Sequence, residues 1–421
     1  MNTPNRRTFL LSAAATASAT AFAAEEEKPV RVAVVGTGGR GSDLIRALST
    51  IDSAQVAAIC DDYPPHLEKA SKYAGTEAKT FNNFAAMLKE IRPQAVVIAT
   101  PLHLHHGMVL EALNADAAVF CEKTLCRTVA EAKEVAAEVE KRKAVFQIGL
   151  QRRSNAIYRQ AVAMVKAGML GRISAIKCQW HRNNNWRRPV PFPKNDPQWP
   201  ALERKLNWRL YKEYSGGLMT ELGSHQLDVA NWILGTTPKR AFASGGIDSW
   251  KDGRDVFDNI FCVYEYAVTP KEKNLPPEKA APYTVRATYS SIQNNAFEGA
   301  SELIMGSQGT LLLTQKKGLF YKEGGPDMPW GIAGKAADDA AVITSGKTLK
   351  LDNDPWAYRG KPYEIDADSD DTRDELVDFV KSVRSGNRQT TADVQTGLQD
   401  CATVLMANDS ANLGRWVDYP A

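Results

Sequence analysis

Over residues 30–48 the chain reads V-R-V-A-V-V, then Gly36-Thr37-Gly38-Gly39-Arg40-Gly41, then S-D-L-I-R-A-L. An apolar strand runs into a G-x-G-x-x-G turn and out into a helix. The chemistry this spacing offers is the holding of a pyrophosphate. Gly36 permits the tight turn, Gly38 lets the backbone approach a phosphate, and Gly41 lets helix and strand pack closely. The helix start adds unpaired N–H groups and the positive end of the helix dipole. The glycine string alone is a weak signal, but the strand and helix around it are the context it requires. A second strand over residues 56–60 ends at Asp61, 20 residues after Gly41. A carboxylate there accepts hydrogen bonds from both ribose hydroxyls and repels a 2′-phosphate. That favours NAD, with Arg40 as the neighbouring cation that leaves NADP open.

These residues need a sheet to hold them. Helices are expected over about 64–74, 82–91, 106–114 and 128–143, and apolar strands over 79–81, 95–100, 118–122 and 145–149. Strands alternating with helices predict a doubly wound parallel sheet of the α/β class. Its ligand sites lie beyond the carboxyl ends of the strands, where Thr100-Pro101, Glu122-Lys123 and Gln151-Arg152 fall. Past a helix near 155–167 the pattern changes to strands over about 173–180, 240–247, 259–266, 283–290, 301–306 and 309–314. That predicts a C-terminal α+β domain with a large, mostly antiparallel open sheet, covered by helices on one face. Residues 315–365 allow no assignment, and helices over about 370–385 and 391–412 close the chain. The division is therefore a Rossmann dinucleotide-binding domain over 29–150 and a substrate-binding and oligomerisation domain over 151–421.

Three further segments carry a resemblance. Thr100-Pro101-Leu-His103-Leu-His105, Cys121-Glu122-Lys123-Thr124 and the run from Gly216 through Glu221, His225 and Asp228 to Trp232 resemble the Gfo/Idh/MocA family of oxidoreductases. The family shows T-P-x-x-x-H after the fourth strand, E-K-P after the fifth, and D-x-x-x-H-x-x-D. Here Thr124 stands for the proline and Glu221 for the first aspartate. The resemblance covers nearly the whole chain from residue 24 on and specifies little about substrate. It implies a nicotinamide cofactor, with Lys123 near both its ribose and the substrate oxygen and with His105 near the cofactor. It also implies late helices that return to the first domain, and copies that pair through sheets.

Oxidising a secondary alcohol requires a base for the hydroxyl proton and a group that stabilises charge developing on oxygen. Lys123 and His225 can supply these. His225 is the better base, since its ordinary pKa is about 6.5. Glu221 is four residues before it, on the same face of a helix, where it could orient the imidazole and favour its charged form. Beyond the strand over 173–178, the segment 179–189 is dense in amides, arginines and tryptophans. Carbohydrate sites need flat apolar faces and fixed polar groups, and Trp180, His181 and Trp186 fit, as do Trp199, Trp208 and Tyr211 farther on. Candidate substrate contacts are thus Lys123, Arg152, His181, Trp186, His225 and Asp228. No cysteine or carboxylate accompanies His103, His105 and His106 at ligand spacing, so no metal is expected.

The leading expectation is an enzyme that moves hydride between tightly bound NAD(P) and a sugar, polyol or glycoside. One alternative is a glycosidase or lyase that oxidises its substrate transiently, with Tyr211, Tyr214 or His181 as an extra base. Another is a sugar- or nucleotide-binding protein without catalysis, against which the pair Lys123 and His225 argues.

Composition sets the outer bounds. The chain has 421 residues, 43% hydrophobic and 24% charged, enough for two soluble cores. The formal net charge of +3, to which Arg6 and Arg7 contribute two, excludes a dedicated nucleic-acid binder. No apolar run past the N-terminus reaches the ~20 residues of a membrane span. Residues 5–11 read Asn-Arg-Arg-Thr-Phe-Leu-Leu, a mild apolar stretch follows, and Ala21-Phe22-Ala23 precedes Glu25-Glu26-Glu27. This resembles a twin-arginine export signal over 1–23. It implies the Tat machinery as a partner, a periplasmic destination and a cofactor loaded before export. The six cysteines form no C-x-x-C pair and are expected to be buried thiols.

Overall fold

The computed structural model describes residues 28–270, 281–323, 362–365 and 367–420. The export signal expected over 1–23 lies outside these residues. The first domain is a six-stranded parallel sheet in the order β3-β2-β1-β4-β5-β6. The strands are β1 Val30–Val35, β2 Ala54–Cys60, β3 Lys79–Phe81, β4 Ala95–Ile98, β5 Ala118–Glu122 and β6 Phe146–Gly149. β4 and β6 are buried at every residue, as strands covered by helices on both faces must be. The order reverses between β1 and β4, which opens the crevice where ligands of such sheets bind.

The helices carry the start signals that aim the loops. α1, Gly39–Leu48, begins within the glycine turn, and α2 Pro64–Ala74, α3 Phe84–Ile91 and α4 His105–Asn114 follow it. α5, Val129–Arg142, is fixed by a capping box of Thr128 and Glu131 just after the Lys123 loop. α6, Ala156–Lys166, is capped by Asn155, whose side chain accepts from the N–H groups of Ile157 and Tyr158.

The second domain is a nine-stranded sheet in the order β14-β13-β12-β11-β7-β10-β9-β8-β15, in which β12 is Gly309–Thr314 and the edge strand β15 is Val417–Asp418. Its centre is β7 Ile173–His181, β10 Tyr283–Ile292 and β9 Asn259–Val268, flanked by β8 Arg240–Gly246 and β11 Ala300–Gly306. All pairings are antiparallel except β10 with β7. Alternate residues face a core that includes Tyr264, Tyr266 and Tyr289. Within the stretch that allowed no assignment, the hairpin partner β13 Lys317–Lys322 extends the sheet and β14 Tyr363–Ile365 ends it.

Two late helices, Asp371–Ser385 (α9) and Val394–Leu413 (α10), lie against the first domain. Leu376, Phe379 and Val380 join the core formed by β1 and α1. Ala392, Val394 and Cys401 join the core beneath β5 and β6. All six cysteines are free and buried. No described helix is long and apolar enough to cross a membrane.

One residue of α10 gives a pH test. Both carboxyl oxygens of Asp400 are buried without a hydrogen-bond partner. Burial, and then the neighbouring Asp228, push this carboxyl well above the ordinary range, with Ser224, Lys123 and Arg153 pulling weakly the other way. A carboxyl raised on folding contributes its full stability below the ordinary carboxylate pKa and loses it as pH rises through the folded value. Asp400→Asn has no such proton to lose. In thermal melts from pH 4 to pH 9, the parent should lose ground steadily to the variant as pH rises. A constant gap would show that Asp400 stays ionised.

Candidate active site

A cleft runs along the carboxyl ends of β1, β2, β4 and β5 and opens into three adjoining chambers, all bordered by Thr100. The outermost, about 440 Å³, is walled by Val35, Phe84, Pro101, Leu104 and Met108, with Asp61 and Asp62 at its rim. The middle one, about 120 Å³, is bordered by Gly36, Gly38, Gly39, Arg40 and Arg188. The innermost, about 320 Å³, is shared by both domains and holds Lys123, Glu122, Gln151, Trp180, Trp186, Glu221 and His225.

The glycine turn fits its expected task. A Cβ on Gly38 would meet nothing closer than the His66 ring at 3.6 Å, so that backbone faces open space. Asp61 accepts from the Thr37 N–H at 2.7 Å and the Tyr63 N–H at 2.9 Å. Burial works against its charge, but the hydrogen bonds from His66, Thr37 and Tyr63 outweigh it and hold the carboxyl below its ordinary value. It is therefore an anion at the cleft, as a ribose acceptor must be. Thr100 Oγ1 and Gln151 Oε1 are buried without partners. Such orphaned polar atoms in a cleft are expected where a ligand completes the hydrogen bonding. The residues present thus fit a dinucleotide.

Lys123 enters the inner chamber from the end of β5. Its Nζ donates to the Glu221 carbonyl at 2.9 Å, and the Lys123–Thr124 peptide is cis. Thr124 does not displace the lysine from the chamber. Instead, the Thr124 hydroxyl reaches the Thr220 carbonyl at 3.0 Å and the Ser224 hydroxyl at 2.5 Å. Burial lowers the Lys123 pKa, and Glu221 and Glu122 oppose that shift only in part.

His225 stands in the first turn of α8, Ser224–Leu234, directly after a π-helical turn over Met219–Gly223. Wide turns of this kind recur at functional sites because they re-aim side chains. The His225 ring packs on Trp180 at 5.4 Å between centroids. Burial, then the charges of Lys123, Arg152, Arg40 and Arg182, push its pKa well below the ordinary value. This corrects the expectation that Glu221 favours the charged imidazole. The Glu221 carboxylate turns instead to Arg209 Nε at 2.8 Å and the Ser215 hydroxyl at 3.1 Å. Burial thus keeps the His225 imidazole neutral, and Glu221 holds Arg209 with its carboxylate and Lys123 with its carbonyl.

Other expected contacts are corrected by the geometry. Arg152 is buried in an ion pair with Glu302 and does not border the chamber. Asp228 is held by Arg153 through three hydrogen bonds, two of them from Nε, and is likewise away from it. The two ring nitrogens of His181 lie 3.0 Å from the Ser290 hydroxyl and 3.1 Å from the Phe297 carbonyl, outside the chamber. His105 sits at the chamber edge, but its ring nitrogens lie 2.9 and 3.0 Å from the carbonyls of Thr124 and Thr100. It ties the loops after β5 and β4 together. Arg40 reaches Glu122 at 2.6 Å, Glu375 at 2.7 Å and the Thr372 hydroxyl at 2.8 Å. Each of its three nitrogens is thus hydrogen-bonded, and two of them hold carboxylates.

The sequence reading missed a strap. Residues 186–211 cross from the second domain over the cleft and bring Arg188, Lys205, Trp208 and Arg209 to the middle chamber. Lys205, in α7 Trp199–Leu206, pairs with Asp62 at 2.8 Å. Buried Glu203 anchors the strap from beneath by pairing with Arg187 and accepting from the Tyr211 hydroxyl at 2.6 Å. The basic residues were visible in the sequence, but nothing in their spacing told which side of the cleft they would meet.

Comparison with known proteins agrees with this architecture. A family model described as an oxidoreductase family with an NAD-binding Rossmann fold matches residues 30–150. A second, described as the GFO/IDH/MocA C-terminal domain, matches residues 158–269. Inositol 2-dehydrogenase of Salmonella paratyphi B is 32% identical over 207 residues, 49% of this chain and 54% of that protein. Myo-inositol 2-dehydrogenase of Thermotoga maritima is 24% identical over 218 residues, 52% of this chain and 59% of that protein. The chain thus spans about half the length of the curated relatives it matches. A solved structure of levoglucosan dehydrogenase in complex with NADH superposes with a TM-score of 0.69 at 17% identity, covering 93% of this chain and 100% of that one. At that identity the likeness is one of fold.

Proposed function

The chain belongs to the GFO/IDH/MocA family of oxidoreductases, and on that premise we propose that it oxidises or reduces a CH–OH group of a sugar, polyol or glycoside. Its first domain is an NAD-binding Rossmann domain. The observation that carries the reading is the meeting of Lys123 from one domain and a neutral, buried His225 from the other in one chamber beyond the glycine turn. Bound in the cleft, NAD supplies the hydride acceptor. This chain's own residues do the rest. His225 accepts the hydroxyl proton, and Lys123, fixed by the Glu221 carbonyl, stabilises charge on the substrate oxygen. Trp180 and Trp186 offer flat faces to the sugar ring. The test is a panel of sugars and glycosides added to the NAD-loaded protein, reading the absorbance of reduced nicotinamide. No reduction with any member, and no oxidation of NADH by the matching carbonyl compounds, would reject the reading.

Redox-assisted cleavage of glycosides ranks second, because it needs an extra base beside the substrate. Tyr211 and His181 do not border the inner chamber, and Tyr214 borders the outer one, its ring 4.8 Å from that of His103.

Asp61 makes NAD the expected cofactor over NADP by roughly 10-fold or more, since a buried anion facing a phosphate is costly. Equilibrium titration with both dinucleotides should show this, and Asp61→Ala should narrow the gap. Tighter binding of NADP by the parent would overturn the assignment.

We propose export by the twin-arginine route on the strength of Arg6-Arg7 and the Ala21-Phe22-Ala23 site. Unchanged periplasmic delivery after Arg6→Lys with Arg7→Lys would refute it. Copies are proposed to pair through the open sheet face, where Phe242 and Phe261 are exposed.

A further inference from the structure

Five cationic side chains and two carboxylates border the inner chamber. The carboxylates are already paired, Glu122 with Arg40 and Glu221 with Arg209. Lys123 rests on a carbonyl. That leaves Arg188 and Arg182. Arg188 also borders the middle chamber, and its guanidinium would lie 3.8 Å from a Cβ on Gly39, so it faces the glycine turn and suits the cofactor's phosphates. Arg182 borders only the inner chamber.

Arg182 follows the last residue of β7, and its backbone N–H donates to the Ile292 carbonyl at 2.9 Å, which fixes the chain there. Its guanidinium lies over the Trp180 ring, 4.6 Å from the centroid, and that ring also meets His225 and, at 5.6 Å, the Arg152 guanidinium that Glu302 holds. Among the described residues no hydrogen bond or ion pair reaches this guanidinium. By contrast, Arg40, Arg152, Arg153, Arg187, Arg209 and Arg254 each hold a carboxylate. A half-buried charge without a counter-ion is unfavourable. Stacking on indole offsets part of that cost and leaves the planar donor edge free.

We propose that the substrate is a sugar acid, and that Arg182 seats its carboxylate one indole-width from His225. The proposal rests on the reading of the chamber as a carbohydrate site and narrows it. One guanidinium presents two parallel N–H donors that match the two oxygens of a carboxylate. The same fork offers a neutral hydroxyl no compensating charge, so neutral sugars leave Arg182 as unpaired as it is without them.

The experiment uses the full chain loaded with NADH and reads quenching of tryptophan fluorescence, since Trp180 and Trp186 line the chamber. The probes are the methyl glycosides of glucuronic and galacturonic acid, those of glucose and galactose, and glucose 6-phosphate. At least one acid should bind roughly 10–100-fold more tightly than its neutral counterpart, the range for a charge-assisted hydrogen-bonded pair. Arg182→Gln should abolish the preference, and Arg182→Lys should restore part of it. Unchanged NADH binding by both variants reports an intact fold. Equal binding of acids and neutral sugars by the parent would overturn the proposal, as would a preference that survives Arg182→Gln or tighter binding of the sugar phosphate. Nicotinamide absorbance with the NAD-loaded protein separates the two readings. If neutral sugars reduce NAD as well as the acids do, the acid site falls and the oxidoreductase stands. If acids bind through Arg182 but never reduce NAD, the oxidoreductase falls and the acid site stands.

Discussion

Lys123→Ala and His225→Ala should each slow substrate oxidation by roughly 10²–10⁴-fold, the range for lost acid–base catalysis, while NAD stays bound. The two losses should differ in their pH signature. In the parent, burial and neighbouring cations hold the His225 pKa far below its ordinary value. Its neutral form, the one able to take a proton, persists through the neutral range. The acid limb of kcat/KM should therefore lie below pH 6.5, and His225→Ala should remove it. Burial lowers the Lys123 pKa, so the alkaline limb should fall below the ordinary lysine range and disappear in Lys123→Ala. Near-normal turnover in either variant would strike that residue from the mechanism. An acid limb near pH 6.5 or above would show that the imidazole is solvated rather than buried in the working enzyme.

The second large effect concerns two glycines three residues apart. A Cβ on Gly41 would sit 1.8 Å from the Gly36 carbonyl oxygen, a contact no relaxation of side chains can relieve. Gly41→Ala should cost about 3 kcal/mol or more, lower the melting temperature by roughly 6 °C or more, and abolish measurable NAD binding. Gly38→Ala is the contrast. Its Cβ would meet only the edge of His66 at 3.6 Å, so the fold should melt normally, while the new methyl occupies space the diphosphate needs. Loss of NAD affinity without loss of stability is expected for Gly38→Ala, and loss of both for Gly41→Ala. Differential scanning calorimetry with NAD titration checks both. Tight NAD binding by Gly38→Ala would move the diphosphate off this turn.

The parallel half was legible because its signals are local. Apolar runs such as residues 95–98, the glycine turn and Asp61 sit within one βαβ unit, where neighbours in sequence are neighbours in space. The strands of the second sheet were legible for the same reason, by alternation. What could not be read is what depends on distant partners. Arg152 and Asp228 have the residue types of ligand contacts, yet Glu302, 150 residues on from Arg152, and Arg153, 75 residues before Asp228, claim them. Arg188 and Arg209 reach the first domain only because the strap crosses the cleft, and no local pattern sets that path. The π turn at Met219–Gly223 leaves no composition signal, and it sends Glu221 to Arg209 where regular spacing would aim it at His225. β13 was hidden because Lys316-Lys317-Gly318 offers too short an alternation to stand out.

The return of α9 and α10 to the first domain has a consequence for how the chain is made. Leu376, Phe379 and Val380 complete the core under β1, and Glu375 supplies a counter-charge to Arg40. The first 150 residues therefore leave the ribosome as a nearly finished sheet with its last hydrophobic panel and one buried charge uncovered. At about 5–20 residues per second, synthesis of the remaining chain takes roughly 10–50 s. For that interval the core under β1 lacks its last apolar panel, and Arg40, within the glycine turn, lacks the Glu375 half of its pairing.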